Sequence, residues 1–314
     1  MDVLADILRQ TGIKGRKLNR RSFVSASALK FPCEKSIGFH VVIEGTAFIY
    51  LAGKKQAIEL KSGDIALMAR GCHHSLSTES TPPKNLTASS DWNQPEAHLD
   101  ANLVRKPKLI VASGAYQFWN DPVHPLFDEL PEWFILKSDE IDRYSELRLA
   151  LELLSSETVR PAQGTDTVIQ ALLDVLFCFI LRKVISMKGS ETATWSHSLK
   201  DPGLYKAIES MHSDYARDWT LESLAKKSGI SRAGFASKFR KSMGETPLKY
   251  LTTVRMQAAA NLLITTDQKL ETVAASVGYQ DPFSFSKAFK RATGSAPRDY
   301  RELDRKQRDN PWRF

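Results

Sequence analysis

The chain has 314 residues, 42% of them hydrophobic and 25% charged, and a net charge of +8. That is ordinary for a soluble globular protein and long enough for two domains. No apolar run approaches the roughly 20 residues of a membrane span, no N-terminal stretch reads as a signal peptide, and three scattered cysteines, Cys33, Cys72 and Cys178, exclude a disulfide framework and predict a cytoplasmic setting.

The charge is unevenly placed. From Lys200 onward there are 21 Lys and Arg against 13 Asp and Glu, whereas the residues before it balance at 23 against 23. A basic C-terminal third beside a neutral remainder predicts one domain that meets a polyanion and one that does not.

In chain order, the first feature is "KGRKLNRRSF", residues 14–23, with Lys14, Arg16, Lys17, Arg20 and Arg21. It is expected just ahead of the first strand. Residues 37–78 then read as strands and tight turns. "GFHVVIEGTAFIYLAG" is rich in β-branched and aromatic residues, with Glu44-Gly45 as its turn, and "QAIELKSGDIALMARG" repeats the pattern around Ser62-Gly63-Asp64. "PKLIVASGAYQFW" adds a later strand. The period then changes: "DEIDRYSELRLALELLSSE" and "TDTVIQALLDVLFCFILRKVISM" have helical spacing, with Thr165 or Thr167 as caps of the second. That second helix is apolar round much of its circumference, which predicts burial on more than one side and hence a partner subunit. "KGSETATWSHSLK", residues 188–200, is polar and aperiodic and reads as a linker.

After the linker everything reads helical, and a repeat emerges. Ala225 to Gly229 match Ala274 to Gly278 at an offset of 49, and Phe235, Phe239, Gly244, Pro247 and Tyr250 match Phe285, Phe289, Gly294, Pro297 and Tyr300 at an offset of 50. Each copy has the layout of a helix-turn-helix. A short helix ends at Gly229, Ser231 caps a second helix, and Phe235 and Phe239 turn inward. In the second copy Gly278 makes the turn, Asp281 caps, and Pro282 takes the first helical position. Arg232, Ser237, Lys238 and Arg240 in one helix, and Ser286, Lys287 and Lys290 in the other, are left facing outward. Two such helices joined by "PLKYLTTVRMQAAANLLI" would enter successive major grooves about one DNA turn, ~34 Å, apart.

Over residues 200–306 the sequence resembles the AraC/XylS family of transcription regulators, through "SLAKKSGISRAGFASKFRKSMGETP" and "VAASVGYQDPFSFSKAFKRATGSAPRDYR". The resemblance implies base contacts from Arg232, Ala233, Ala236 and Ser237 and from Phe283, Ser286 and Lys287. Lys238, Arg240 and Lys290 are expected on phosphates, which position without specifying.

"GDIALMARGCHHSL" resembles the second cupin motif, with Ala69 where proline is usual, and "FHVVIEGTAFIYL" resembles a strand pair of the same barrel. The resemblance implies a cupin sensor over about residues 10–130. Metal-dependent cupins use a His-x-His pair and a Glu on the first motif. Here His40 stands alone, and only His74, with His73 and Cys72 beside it, offers further ligands. No metal site and no catalysis are therefore expected, with a metal cupin enzyme as the remote alternative.

"RKLNR", Arg16 to Arg20, is an Arg-x-x-x-Arg ahead of a barrel. It resembles the arrangement with which the PilZ family clamps cyclic di-GMP, and the overall layout resembles a cyclic di-GMP-responsive type of AraC-like regulator. At i and i+4, Arg16 and Arg20 would share one face of a helix or stand ~13 Å apart in an extended segment. Guanidinium groups can pair with phosphate or guanine and stack on a purine. The resemblance implies cyclic di-GMP as the ligand, held by Arg16, Lys17, Arg20 and Arg21, with Glu34 and Ser36 of "EKSIG" as the nearest counterpart of the second PilZ motif. Alternatives are oxidant sensing through Cys72, whose neighbouring histidines would lower its pKa, and another small ligand in the barrel.

The expected architecture is thus two domains: an N-terminal cupin-like β-barrel with trailing dimerisation helices, and a C-terminal all-α tandem helix-turn-helix. Residues 1–190 would hold the sensor, with its barrel at about 10–130 and its helices at about 138–187. A linker at 191–200, the DNA-binding domain at 201–306 and a tail at 307–314 would follow. The expected protein is a homodimeric promoter-DNA-binding activator that also meets RNA polymerase and has no membrane partner.

Overall fold

The computed structural model describes residues 3–10, 13–23, 28–31, 36–51, 56–69, 71, 73–81, 88–89, 107–118, 124–130, 132–187, 198 and 201–307. The expected linker and tail, together with Glu34, Cys33 and Cys72, lie largely or wholly outside these residues. The chain divides into two compact units: residues 15–117 with 130–184, and residues 1–14 with 118–129 and 185–313.

The first unit is built on one nine-stranded sheet. Its strands are β1 (Ile13–Phe23), β2 (Ala28–Phe31), β3 (Ser36–Leu51), β4 (Ile58–Lys61), β5 (Ile65–Met68), β6 (His74–Ser77), β7 (Ala88–Ser89), β8 (Leu109–Phe118) and β9 (Trp133–Leu136). The main path runs β1-β8-β3-β6-β2-β7, with β4, β5 and β9 branching from β3. Strand β3 is the spine. Its first half pairs with β5 and β8, and its second half with β4 and β6. From Ser36 to Val42 every residue is buried, so this half is covered on both faces and reads as continuous apolar sequence; burial alternates only from Ala47 onward.

Two expectations are corrected here. Glu44-Gly45 is no hairpin turn: β3 runs through it, and the register against β8 shifts between Val42 and Glu44. The glycine makes this irregularity possible, since Gly45 sits at φ 89° and the Lys108 carbonyl fills the space a side chain would need. The basic stretch does not precede the first strand either, because it is β1 itself. The ladder to β8 uses backbone groups, so side-chain charge does not oppose it. Among the described residues β1 ends the sheet path, a position where Lys and Arg are common in edge strands. The Ser62-Gly63-Asp64 turn forms as expected, with Gly63 at φ 84° and the Lys61 N–H donating to Asp64 Oδ2 at 2.9 Å.

Two helices complete this unit. Helix α3 (Glu146–Val159) begins later than its periodicity predicts. Ser145 caps it, accepting from the Arg148 N–H, and residues 138–140 form a separate 3-10 turn whose start is tied to Asp64 by the Ser138 N–H at 2.8 Å. Helix α4 (Thr165–Met187) starts at Thr165, whose Oγ1 accepts from the Ala162 N–H at 2.7 Å. Leu173, Leu176, Ile180, Leu181 and Val184 of α4 are buried, whereas Leu149 and Leu153 of α3 and Val168 and Val175 of α4 stay exposed.

The second unit is helical: α1 (Val3–Gln10), α2 (Pro125–Glu129), α5 (Pro202–Ser213), α6 (Leu221–Ser228), α7 (Arg232–Met243), α8 (Pro247–Thr265), α9 (Leu270–Ser276), α10 (Pro282–Thr293) and α11 (Pro297–Gln307). Helix α8 is the shared backbone of this unit. It packs against α7 on one side and against α9, α10 and α11 on the other.

Candidate nucleic-acid interface and sensor cluster

Each copy of the repeat folds as helix, left-handed glycine, capped helix. Helix α6 ends at Gly229 with φ 73°, and Ser231 then accepts from the Gly234 N–H at 3.2 Å to start α7. In the second copy Gly278 has φ 80°, and Asp281 accepts from the Phe283 and Ser284 N–H groups at 3.2 and 2.8 Å to start α10. The Ala216 carbonyl occupies the space a side chain on Gly278 would need, so this turn is closed by packing as well as by φ. Phe235 and Phe239 are fully buried, as are Phe285 and Phe289, and these four anchors roll the opposite faces of α7 and α10 outward.

On those outward faces Arg232, Ala233, Ser237, Lys238 and Arg240 are exposed, and Ala236 is half-buried beside them. On α10, Phe283 is 66% exposed, with the Lys287 ammonium 4.4 Å from its ring centre. Lys290 is exposed, and the Ser286 hydroxyl donates to the Pro282 carbonyl at 2.8 Å. Lys238 is also ion-paired with Asp201, a contact that a phosphate would have to replace. Beside α7 lies a cleft of about 600 Å³ whose rim carries Arg240 and Lys241 and whose floor includes Pro247 and Leu248.

The sheet of the other unit gathers a polar cluster that sequence reading missed. His40 was read as isolated, yet its Nε2 is 2.8 Å from His74 Nε2, so one ring donates to the other, and its Nδ1 is 2.7 Å from Ser113 Oγ. Strand register sets the Ser113 contact. His40 stands opposite Ser113 in the β3–β8 ladder, and Leu51 of β3 stands opposite His74 of β6. The Phe31 ring stacks on His74, and the Arg21 guanidinium lies 5.1 Å from the centre of the same ring. Burial holds the His40 pKa well below the usual histidine range, and His74 and Arg21 push it further down. Among the described residues no three His, Cys, Asp or Glu groups come together as metal ligands. Trp133, whose ring is 5.2 Å from His74, has a buried Nε1–H with no hydrogen-bond partner among the described residues.

Of the residues expected to bind a ligand, Arg16 and Lys17 lie in β1, but their side chains are outside what the structure describes. Arg20 Nη1 donates to the Thr158 carbonyl at 2.6 Å, in the last turn of α3. Arg21 turns to the Phe31 face, as alternation along a strand requires. Ser36 is buried at the start of β3, opposite Gln117.

Comparison with known proteins matches these two halves separately. Residues 2–186 match a cupin family and residues 224–303 a helix-turn-helix domain family. A protein of Streptomyces lividans described as an AraC-like transcription regulator is 28% identical over 96% of this chain and 98% of its own. The HTH-type transcriptional regulator AlkR of Acinetobacter baylyi is 28% identical over 84% of this chain and 87% of its own. The RCS-specific HTH-type transcriptional activator RclR of Escherichia coli is 35% identical over 55% of this chain and 61% of its own. With a cupin-family N-terminal region, a capped tandem helix-turn-helix and full-length likeness to such regulators, the chain belongs to the AraC-like transcription regulators: a DNA-binding protein and not an enzyme.

Proposed function

We propose that this regulator is a homodimer whose DNA binding is controlled by cyclic di-GMP at the basic edge strand β1. The observation that carries the reading is Arg20. Arg20 lies in β1, four residues after Arg16 in sequence, and its guanidinium reaches the last turn of α3 through the Thr158 carbonyl. A guanidinium has five N–H donors, so a dinucleotide phosphate or guanine edge can engage Arg20 and draw on that helix terminus. Helix α3 exposes Leu149 and Leu153, and α4 exposes Val168 and Val175. An apolar face of this kind suits a second copy of the chain. Ligand binding on β1 would then adjust the dimer and the spacing of four reading helices on the promoter, with activation through contact with RNA polymerase in the cytoplasm. In this reading Arg232, Ala233, Ala236, Ser237, Phe283, Ser286 and Lys287 read bases, and Lys238, Arg240 and Lys290 hold phosphates.

Calorimetry with cyclic di-GMP on the wild type and on the Arg16→Ala/Arg20→Ala double variant tests the ligand. Heat in the wild type and none in the variant supports it; equal heats in both remove the β1 site. Sedimentation of Leu153→Glu tests the dimer face, with monomer expected.

A second reading is oxidant signalling through the thiol of Cys72, which stands beside His73 and His74 in sequence. A Cys72→Ser variant that no longer responds to oxidant, in a protein indifferent to cyclic di-GMP, would select it.

A further inference from the structure

Asp6, His124, His212 and Tyr250 are far apart in sequence and buried together. The donors of the His124–Tyr250 and His212–Asp6 bonds can be placed. The Leu126 backbone N–H donates to His124 Nδ1 at 3.2 Å, so that nitrogen carries a lone pair and the neutral ring holds its proton on Nε2. His124 Nε2–H then donates to Tyr250 Oη at 2.9 Å. At the other end the Asp6 carboxylate accepts from His212 Nδ1–H at 2.7 Å. His212 Nε2 lies 2.7 Å from the Tyr250 hydroxyl oxygen. The phenol oxygen is thus bonded to both rings, and the four side chains form one connected network.

We propose that this hydrogen-bond chain is a positioning element for DNA recognition. Through it α1 and the segment ahead of α2 hold the first turn of α8, and with that turn the reading helix α7. Three observations converge on this role. Tyr250 lies in the first turn of α8, and its ring meets Phe239 of α7 edge-on at 5.8 Å. Helix α1 packs on both α5 and α8. Asp6 and His124 belong to the stretch that matches the cupin family, yet they sit in the same compact unit as the helix-turn-helix pair. Helix α1 is also only two residues upstream of β1 in sequence. The role does not depend on which ligand β1 binds.

The test uses the full-length protein and a DNA fragment obtained by in vitro selection with the wild type. Asp6→Ala orphans the His212 Nδ1–H, whereas Asp6→Asn restores an acceptor. Asp6→Ala is expected to speed amide exchange across residues 232–250 at least about tenfold and to weaken binding of the selected fragment at least about fivefold, with Asp6→Asn recovering most of both. Tyr250→Phe, which keeps the ring against Phe239, is expected to do the same and is read in the same way should Asp6→Ala not fold. Arg9→Ala, at an exposed partner of Asp6, is expected to leave both measurements unchanged. Exchange that accelerates only in α1 and residues 124–130, with DNA affinity unchanged or tighter, would overturn the proposal.

Discussion

Phe289→Ala gives the clearest separation of the two reading modules. The Phe289 ring is fully buried, 5.7 Å from Phe285 and 5.3 Å from Tyr300. It belongs to a core shared by Leu263 and Ala260 of α8, Val273 of α9 and Phe285 of α10. The first module instead packs Phe235, Phe239 and Tyr250 edge to face. Removing a buried phenyl ring loses its transfer free energy and leaves a cavity, together about 3–5 kcal/mol. At about 1.4 kcal/mol per factor of ten, amides of α9–α11 should exchange roughly two to four powers of ten faster where they open as a unit. Amides of α6 and α7 should change by less than about tenfold, because substitutions without shared partners act nearly independently. Hydrogen-exchange mass spectrometry resolves the two regions. Equal acceleration in both modules would show one cooperative body and refute the separation.

Three further outcomes follow from the same geometry. Gly278→Ala should destabilise more than Gly294→Ala. Both sit at φ 80°, which costs a non-glycine residue about 1–2 kcal/mol, but only at Gly278 does the added methyl meet a backbone carbonyl; thermal melts of the pair compare them. Burial alone would raise the Asp64 pKa, but the Lys61 N–H, the Lys137 ammonium and the Ser138 N–H outweigh it and hold the carboxyl below its usual range. A depressed folded pKa adds stability above the unfolded value of about 3.9 that is lost as pH falls through the folded value, so Asp64→Asn should flatten the acid side of a pH–stability curve. Lys290→Ala should weaken DNA binding on all sequences alike and reduce the slope of log affinity against log salt by about 1.

The helix-turn-helix pair was legible because its information is local. Gly229, Ser231, Gly278 and Asp281 act within a few residues, and the inward phenylalanines recur at helical spacing. The strand turn at Gly63 was legible for the same reason. Strand β1 was not, because a charged edge strand satisfies its backbone without an apolar face, and its pairing with β8 spans about 90 residues of chain. The His40–His74 pair depends on the register of two strands, which no short window contains. The Asp6–His212 bond spans 206 residues, and neither residue carries a motif. Gly45 was misplaced as a turn because a glycine required by an irregularity and one required by a hairpin look alike in sequence.

Hydroxyl-radical footprinting of the wild-type protein on a selected DNA fragment addresses the two-reader architecture most directly. Helices α7 and α10 set in series on α8 should protect two patches on one face of the duplex, about one helical turn or ~34 Å apart for each bound chain. A single patch per chain, or a footprint unchanged by loss of the exposed α10 residues Phe283 and Lys287, would contradict recognition by both modules.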